Sequence, residues 1–141
     1  MSAVNNISKE VFDEYISYFN LKQYDGFAKY YLPKVLLTYP GGFQVQGPDA
    51  IVAGYKMLHE SVNEHLEIHD LMFDGDKIFC AMYTEFTAFK NFPGFKFGEF
   101  DGLKAGQIAK MTNFVLYNLE GDKFKQIRVA QHVMHNSPSD Q

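Results

Sequence analysis

From residue 65 onward the chain alternates. HLEIHDLMF, IFCAMYTEFTAF, QIAKMTNFVLYNLE and KFKQIRVAQHVMH each carry the strand pattern, in which successive side chains point to opposite faces. The turn DGDK separates the first two and Gly121-Asp122 the last two. Four long strands in meander order make one antiparallel sheet, and everything before residue 65 must pack against it. That earlier half is helical in spacing. Val11, Phe12, Tyr15, Ile16 and Phe19 share one face of ISKEVFDEYISYFNLKQ, with Ser8 as N-cap and no capping box, since Val11 stands where a Glu would be. A short second helix is expected from Tyr24-Asp25 through YDGFAKYYLP, stopped by Pro33 with Leu32 turned extended before it. VLLTYP reads as a short strand running into the turn Pro40-Gly41-Gly42, with FQVQ beyond. GPDAIVAGYKMLHESV reads as a third helix, with Pro48 in its first turn. Its inner stripe is Ile51, Tyr55, Leu58 and Val62, with His59 on the flank and Glu60 off the stripe.

Three helices ahead of one strongly curved antiparallel sheet is an α+β arrangement. A sheet curled around helices leaves room for a cavity between them. One domain is expected over residues 8–135, with 1–7 and the tail 136–141 (NSPSDQ) as flexible ends.

The 141 residues are 46 % hydrophobic and 21 % charged, the balance of a globular chain. Aromatic residues reach 16 %, with 14 Phe, 9 Tyr and no Trp. A tyrosine-rich interior suits a large, partly polar ligand, although an ordinary aromatic core has the same composition. A net charge of −4 without a basic stripe argues against nucleic acid. The single cysteine, Cys80, forms no internal disulfide and builds no thiolate cluster. MSAVNNISKE has no leader pattern, and no run approaches the ~18 apolar residues of a membrane span. The expectation is a cytoplasmic protein with no membrane partner.

KQYDGFAKYYLPKVLLTYPGG, GPDAIVAGY and GLKAGQIAKMTNFVLYNLEGDKFKQIRVA resemble, in order and spacing, the helix-to-strand entry, third helix and final strands of the nuclear transport factor 2-like superfamily. Within it the chain is most similar to SnoaL-like polyketide cyclases and small fungal tailoring isomerases and dehydratases. The resemblance implies a cone-shaped barrel: a strongly curved antiparallel sheet wrapped on three N-terminal helices. It also implies proton-transfer chemistry in a closed apolar pocket without metal or organic cofactor. Enzymes and non-enzymes share this superfamily, so function must be argued from the site.

Alternation nominates the lining. Ile127, Val129 and Val133 mark the odd face of the last strand as inward, which makes Gln131 a candidate for orienting a substrate oxygen. On the strand before it the odd face carries Asn113 and Tyr117. Asn113 and Gln131 have an alternative role in satisfying local backbone groups. Arg128 and His132 fall on the even face. Glu85 shares a face with Phe79, Ala81, Tyr83 and Phe89. If that face turns inward, Glu85 is a carboxylate in aromatic surroundings, suited to general acid–base work; the competing assignment is the outer sheet face, where dimer contacts form. Glu60 is a second candidate base, on the helix. His65 lies on the solvated face by simple alternation, but resembles in position a cavity histidine of scytalone dehydratase, as Tyr39 resembles a tyrosine there. The match breaks near Thr87, where that enzyme has a second histidine. His65 and His69 are four apart on a strand, about 13 Å, and no third ligand accompanies them, so no metal site is expected.

FKNFPGFKFGEFDGLKAGQ, residues 89–107, threads Phe89, Phe92, Phe95, Phe97 and Phe100 through glycines and a proline. Such a segment either packs on a partner or roofs an apolar chamber, and the second makes Phe89 and Phe95 lid residues that exclude water.

The resulting expectation is a cofactor-independent isomerase/cyclase or dehydratase acting on a bulky oxygenated apolar metabolite of polyketide or terpenoid type. Glu85, His65, Glu60 and Tyr39 are its candidate catalytic residues. Asn113, Tyr117, Gln131, Tyr83, Phe89 and Phe95 are its candidate substrate contacts. The resemblance adds a homodimer. The alternative is a non-catalytic small-molecule binding or dimerisation module of the same fold.

Overall fold

Ser8 accepts a hydrogen bond from the Val11 N–H at 3.1 Å and opens α1, Lys9–Asn20, whose Phe12, Tyr15, Ile16 and Phe19 are buried. The computed structural model describes residues 7–94 and 102–136. Eight further elements follow α1: α2 (Tyr24–Ala28), β1 (Tyr31–Thr38), β2 (Gln44–Gln46), α3 (Pro48–His59), β3 (Val62–Asp74), β4 (Lys77–Ala88), β5 (Ile108–Glu120) and β6 (Lys123–Met134). This is the α+β layout that the pattern of residues implies. Among the described residues no helix is long and apolar enough to cross a membrane.

Two boundaries differ from expectation. Helix α2 is only five residues long, and Pro33 lies inside β1 instead of ending the helix. The β1 register slips between Tyr31 and Leu36, and such an irregularity accommodates a residue with no N–H to donate. Helix α3 stops at His59, and β3 already begins at Val62. The strand is therefore three residues longer at its start than HLEIHDLMF.

The sheet order is β2-β1-β6-β5-β4-β3. Its pairs are antiparallel except β1 with β6, which run parallel. That parallel pair joins β1 to the last of the long strands: α3 and four strands (β2, β3, β4 and β5) intervene, so no hairpin dictates the direction. The β1–β2 hairpin turns through Pro40 and Gly41, whose φ of 89° suits the third position of a type II turn. Register shifts at Ile68/Asp70, Thr112/Asn113 and Asn118/Leu119 are the local bulges that bend long strands. The concave face receives α1 and α3. Phe12 packs edge-on against Tyr117 with ring centroids 5.2 Å apart, and Tyr15 lies 4.9 Å from Phe124. Cys80 is fully buried in this layer, and burial pushes its thiol pKa up to about 12, so it packs as an inert apolar group.

One edge of the sheet is β3, where a side chain bonds the strand's backbone. Asn20, at the end of α1, donates to the Leu66 carbonyl at 3.0 Å and accepts from the Leu66 N–H at 2.7 Å. That two-point contact fixes the strand against the helix and with it the phase of the β3 side chains.

Candidate active site

Between α1, α3 and the concave face lies a cavity with about 90 Å³ open to the centres of water-sized atoms. That is room for a few ordered waters, and less than the roughly 150 Å³ of an apolar cavity that holds one benzene ring. Including the mouth, the empty space is about 880 Å³. Apolar side chains such as Phe19, Leu37, Leu58, Leu66, Met82 and Phe86 form much of the wall. Five tyrosines join them: Tyr15 from α1, Tyr31 from β1, Tyr39 from the β1–β2 turn, Tyr55 from α3 and Tyr117 from β5. Tyr15 and Tyr31 are hydrogen-bonded through their hydroxyls at 2.8 Å. Burial drives Tyr15, Tyr31, Tyr55 and Tyr117 well above the usual phenol range. They are therefore O–H donors at any physiological pH.

Among the described lining residues one carboxylate is present, Glu64 on β3. Its side chain is 6 % exposed and that of its partner His59 2 %. Glu64 Oε1 lies 2.9 Å from His59 Nε2, and His59 Nδ1 lies 2.8 Å from the Tyr24 hydroxyl. A carboxylate only accepts, so Nε2 is the donor when Glu64 is ionised. Three elements build the chain: α2 supplies Tyr24, the last residue of α3 is His59, and the start of β3 is the strand that brings Glu64 back five residues later. The C-terminal end of α3 adds its partial negative charge beside the imidazole. Among the described residues no group of three or more His, Cys, Asp or Glu side chains is arranged to hold a metal.

The structure brings together three of the expected residues. Tyr39, Asn113 and Tyr117 line the cavity, and Asn113 is 5 % exposed. Thr84, on the inward row of β4, joins them.

Five others stand elsewhere. The inward row of β4 is the even one, with Ile78, Cys80, Met82, Thr84, Phe86 and Ala88 all buried. Glu85 and Tyr83 are thus on the outer face, where Tyr83 donates to Glu85 Oε1 at 2.9 Å. Burial and that carboxylate push Tyr83 up to about 12. His65 follows simple alternation outward and lies 3.1 Å from Glu67 Oε1, both half-exposed. Glu60, the residue after α3, is exposed. Gln131 pairs with Asn113 across β5 and β6 but is solvent-exposed and outside the cavity lining; the register shifts at His132 before the ladder resumes with Thr112 opposite Val133. His132 stacks on Phe114 with centroids 4.3 Å apart, and Arg128 bonds Asn118.

The phenylalanine segment divides. Phe89 is exposed, under the Lys22 ammonium at 5.7 Å. Phe92 is buried and forms a two-hydrogen-bond bridge with Leu103, packing into a second apolar cluster with Leu58, Val62 and Phe86. Leu58 and Phe86 also line the cavity, so the described stem abuts one of its ends. Phe95, with Phe97 and Phe100, lies outside the described residues.

Sequence reasoning passed over Glu64, His59, Tyr24 and Tyr55 as chemistry. The signal for Glu64 was present: Val62, Glu64, Leu66 and Ile68 alternate on one face, a single acid within an apolar row.

An open, curved sheet closed over N-terminal helices, with an apolar chamber between, defines the nuclear transport factor 2-like class of α+β cones. Residues 12–127 match the SnoaL-like domain family, and the chain belongs to it. No curated protein matches the sequence. Among solved structures, a Xanthomonas campestris protein assigned to the polyketide cyclases superposes with a TM-score of 0.72 at 13 % identity, over 86 % of this chain and 87 % of that one. An LEH-like epoxide hydrolase from M. tuberculosis gives 0.68 at 7 %, over 86 % and 79 %. SalBIII, an epoxide hydrolase/cyclase-like enzyme of pyran ring formation in the polyether salinomycin, gives 0.68 at 17 %, over 89 % and 90 %. At such identities these likenesses establish the fold.

Proposed function

We propose that the protein is a cofactor-independent isomerase, cyclase or dehydratase that moves protons within this cavity, on a bulky oxygenated apolar metabolite of polyketide or terpenoid type. The observation that carries the reading is Glu64: a buried carboxylate, hydrogen-bonded to His59, facing a chamber whose other described lining residues carry apolar groups, phenols, the Thr84 hydroxyl and the Asn113 amide. In the step this arrangement favours, Glu64 takes a proton from a carbon next to a carbonyl. The C–H electron pair becomes a C=C bond and the carbonyl pair moves to oxygen. Phenol donors from Tyr31, Tyr39, Tyr55 and Tyr117, with the Asn113 amide, stabilise the enolate oxygen. Return of the proton at a different carbon gives an isomer; when the enolate pair re-forms the carbonyl and expels a β-hydroxyl, that oxygen takes the proton from Glu64 and leaves as water, giving the dehydrated product. The enclosed chamber receives the reacting end of the substrate, and the remainder of a larger molecule lies in the mouth. The described stem of the segment 89–107, held by the Phe92–Leu103 bridge, packs on Leu58 and Phe86 of the chamber wall.

The test is a panel of fused-ring polyketides and terpenoid lactones, incubated with wild type and Glu64→Gln and read by mass spectrometry and chiral chromatography. Conversion by wild type that falls at least about a hundredfold in Glu64→Gln supports the assignment. Ligand binding without conversion, equal in both proteins, would turn the reading to a binding module. The proposal includes a homodimer formed through the outer sheet face, which carries the exposed apolar Met72 and Val133. Sedimentation equilibrium checks it: a monomer at all concentrations removes the dimer from the account.

A further inference from the structure

The Tyr24 phenol lies outside the cavity, since it is not among the lining residues, yet it makes the last link of the chain that ends at Glu64. The groups facing His59 are few. From α2 comes Tyr24, its ring 5.7 Å from the imidazole; from α3 comes Tyr55 at 6.0 Å; from β3 comes Glu64. Lys56, also on α3, holds its ammonium 5.4 Å from the Tyr24 ring centroid. Burial, and then the Glu64 charge, raise Tyr24 above the ordinary phenol value. Tyr24 therefore keeps its proton and has one to donate. A neutral imidazole has one donor and one acceptor nitrogen, and whichever partner fixes one fixes the other.

We propose that Tyr24 is a positioning residue: its hydroxyl donates to Nδ1 and holds His59 as the neutral tautomer protonated at Nε2, which sets Glu64 as an ionised base with its second oxygen left for the bound molecule. This rests on the proposed role of Glu64 and extends it beyond the cavity wall. Among the described residues the Tyr24 phenol is the one group hydrogen-bonded to Nδ1, so without it that nitrogen no longer selects between the tautomers. Glu64 then faces an Nε2 lone pair in part of the population, and the N–H donor that its carboxylate accepts from is lost there.

The test labels histidine with ¹⁵N and compares wild type with Tyr24→Phe by NMR at neutral pH. The expected wild-type signature at His59 is a one-bond Nε2–H correlation with an Nδ1 resonance shifted as a hydrogen-bond acceptor. Tyr24→Phe is expected to move the Nδ1 resonance toward that of a free acceptor and to weaken the Nε2–H correlation. A wild-type His59 protonated at Nδ1, or an Nδ1 resonance unmoved by the substitution, overturns the proposal. Should Tyr24→Phe not fold, 3-fluorotyrosine at position 24 keeps the ring: the more acidic phenol must shift Nδ1 further in the acceptor direction, and no shift overturns the idea. The functional readout is α-hydrogen/deuterium exchange of the bicyclic ketone 2-tetralone in D₂O. Tyr24→Phe should slow it about two- to tenfold, the equivalent of one neutral hydrogen bond, with the affinity for 2-tetralone unchanged. The same rate in both proteins refutes positioning. The NMR signature needs no turnover, so a failed tautomer assignment is separable from a failed assignment of Glu64 as base, which Glu64→Gln decides.

Discussion

His59–Glu64 and His65–Glu67 are the same chemical pair in two environments, at 2.9 and 3.1 Å. The first has side chains 2 % and 6 % exposed, the second 52 % and 52 %. Water and salt screen the outer pair, so His65→Ala, Glu67→Ala and the double change should leave stability additive. The inner pair cannot be screened. Glu64→Leu or His59→Phe strands a buried partner, at a cost of about 1–3 kcal/mol or more where the remaining group is charged. The double variant removes both polar groups and restores an apolar contact, which is close to neutral when shape is kept. A double-mutant cycle should therefore show a coupling of about 2 kcal/mol for the inner pair. Urea unfolding at pH 7 measures it, with thermal midpoints moving roughly 3–4 °C per kcal/mol for a domain of this size. Additive inner substitutions, indistinguishable from the outer ones, would refute the claim that Glu64 and His59 form a desolvated unit.

Phe27 is fully buried and stacks on Phe19 at 4.0 Å behind the cavity wall; Phe27→Ala should cost about 3–5 kcal/mol, read by urea unfolding, and loosen the Phe19 and Tyr55 wall. Gly102 has φ 127°, and a Cβ there would stand 2.7 Å from the Phe92 carbonyl oxygen. Gly102→Ala should therefore cost about 1–3 kcal/mol and break the Phe92–Leu103 bridge, which hydrogen exchange at those two amides detects. The raised phenols of Tyr15, Tyr31, Tyr55 and Tyr117 make the folded state bind more protons than the unfolded chain above about pH 10. Their stabilisation is complete below that pH and is lost as pH rises from there through the raised folded-state values. Absorbance near 295 nm should show these phenols ionising together with cooperative unfolding; gradual ionisation near pH 10 in a folded protein would contradict their burial.

Much of the fold was legible because it depends on local signals: the Ser8 cap, Pro48 in the first turn of α3, the alternation of four strands and the Gly121-Asp122 turn. Strand β5 was read in the right phase, since its apolar row Ala109, Met111, Val115 is unambiguous, and Asn113 and Tyr117 came with it. Strand β4 was not, because IFCAMYTEFTAF is apolar on both faces and its phase is set by pairing with β3 and β5. Glu85 and Tyr83 consequently moved to the outer face. Glu64 was hidden by a boundary: it appeared to lie in the connection after α3, whereas Asn20 and the Val62–Ala88 pairing carry β3 back to residue 62. The His59–Glu64 contact follows from that tertiary geometry, which neither residue announces alone.

The account turns on which carboxylate moves the proton, and α-exchange of 2-tetralone in D₂O, followed by proton NMR with wild type, Glu64→Gln and Glu85→Gln side by side, measures that directly. The account predicts that Glu64→Gln loses about 10²–10⁴-fold in rate, whereas Glu85→Gln keeps the wild-type value. Full exchange by Glu64→Gln, or loss in Glu85→Gln, would contradict it.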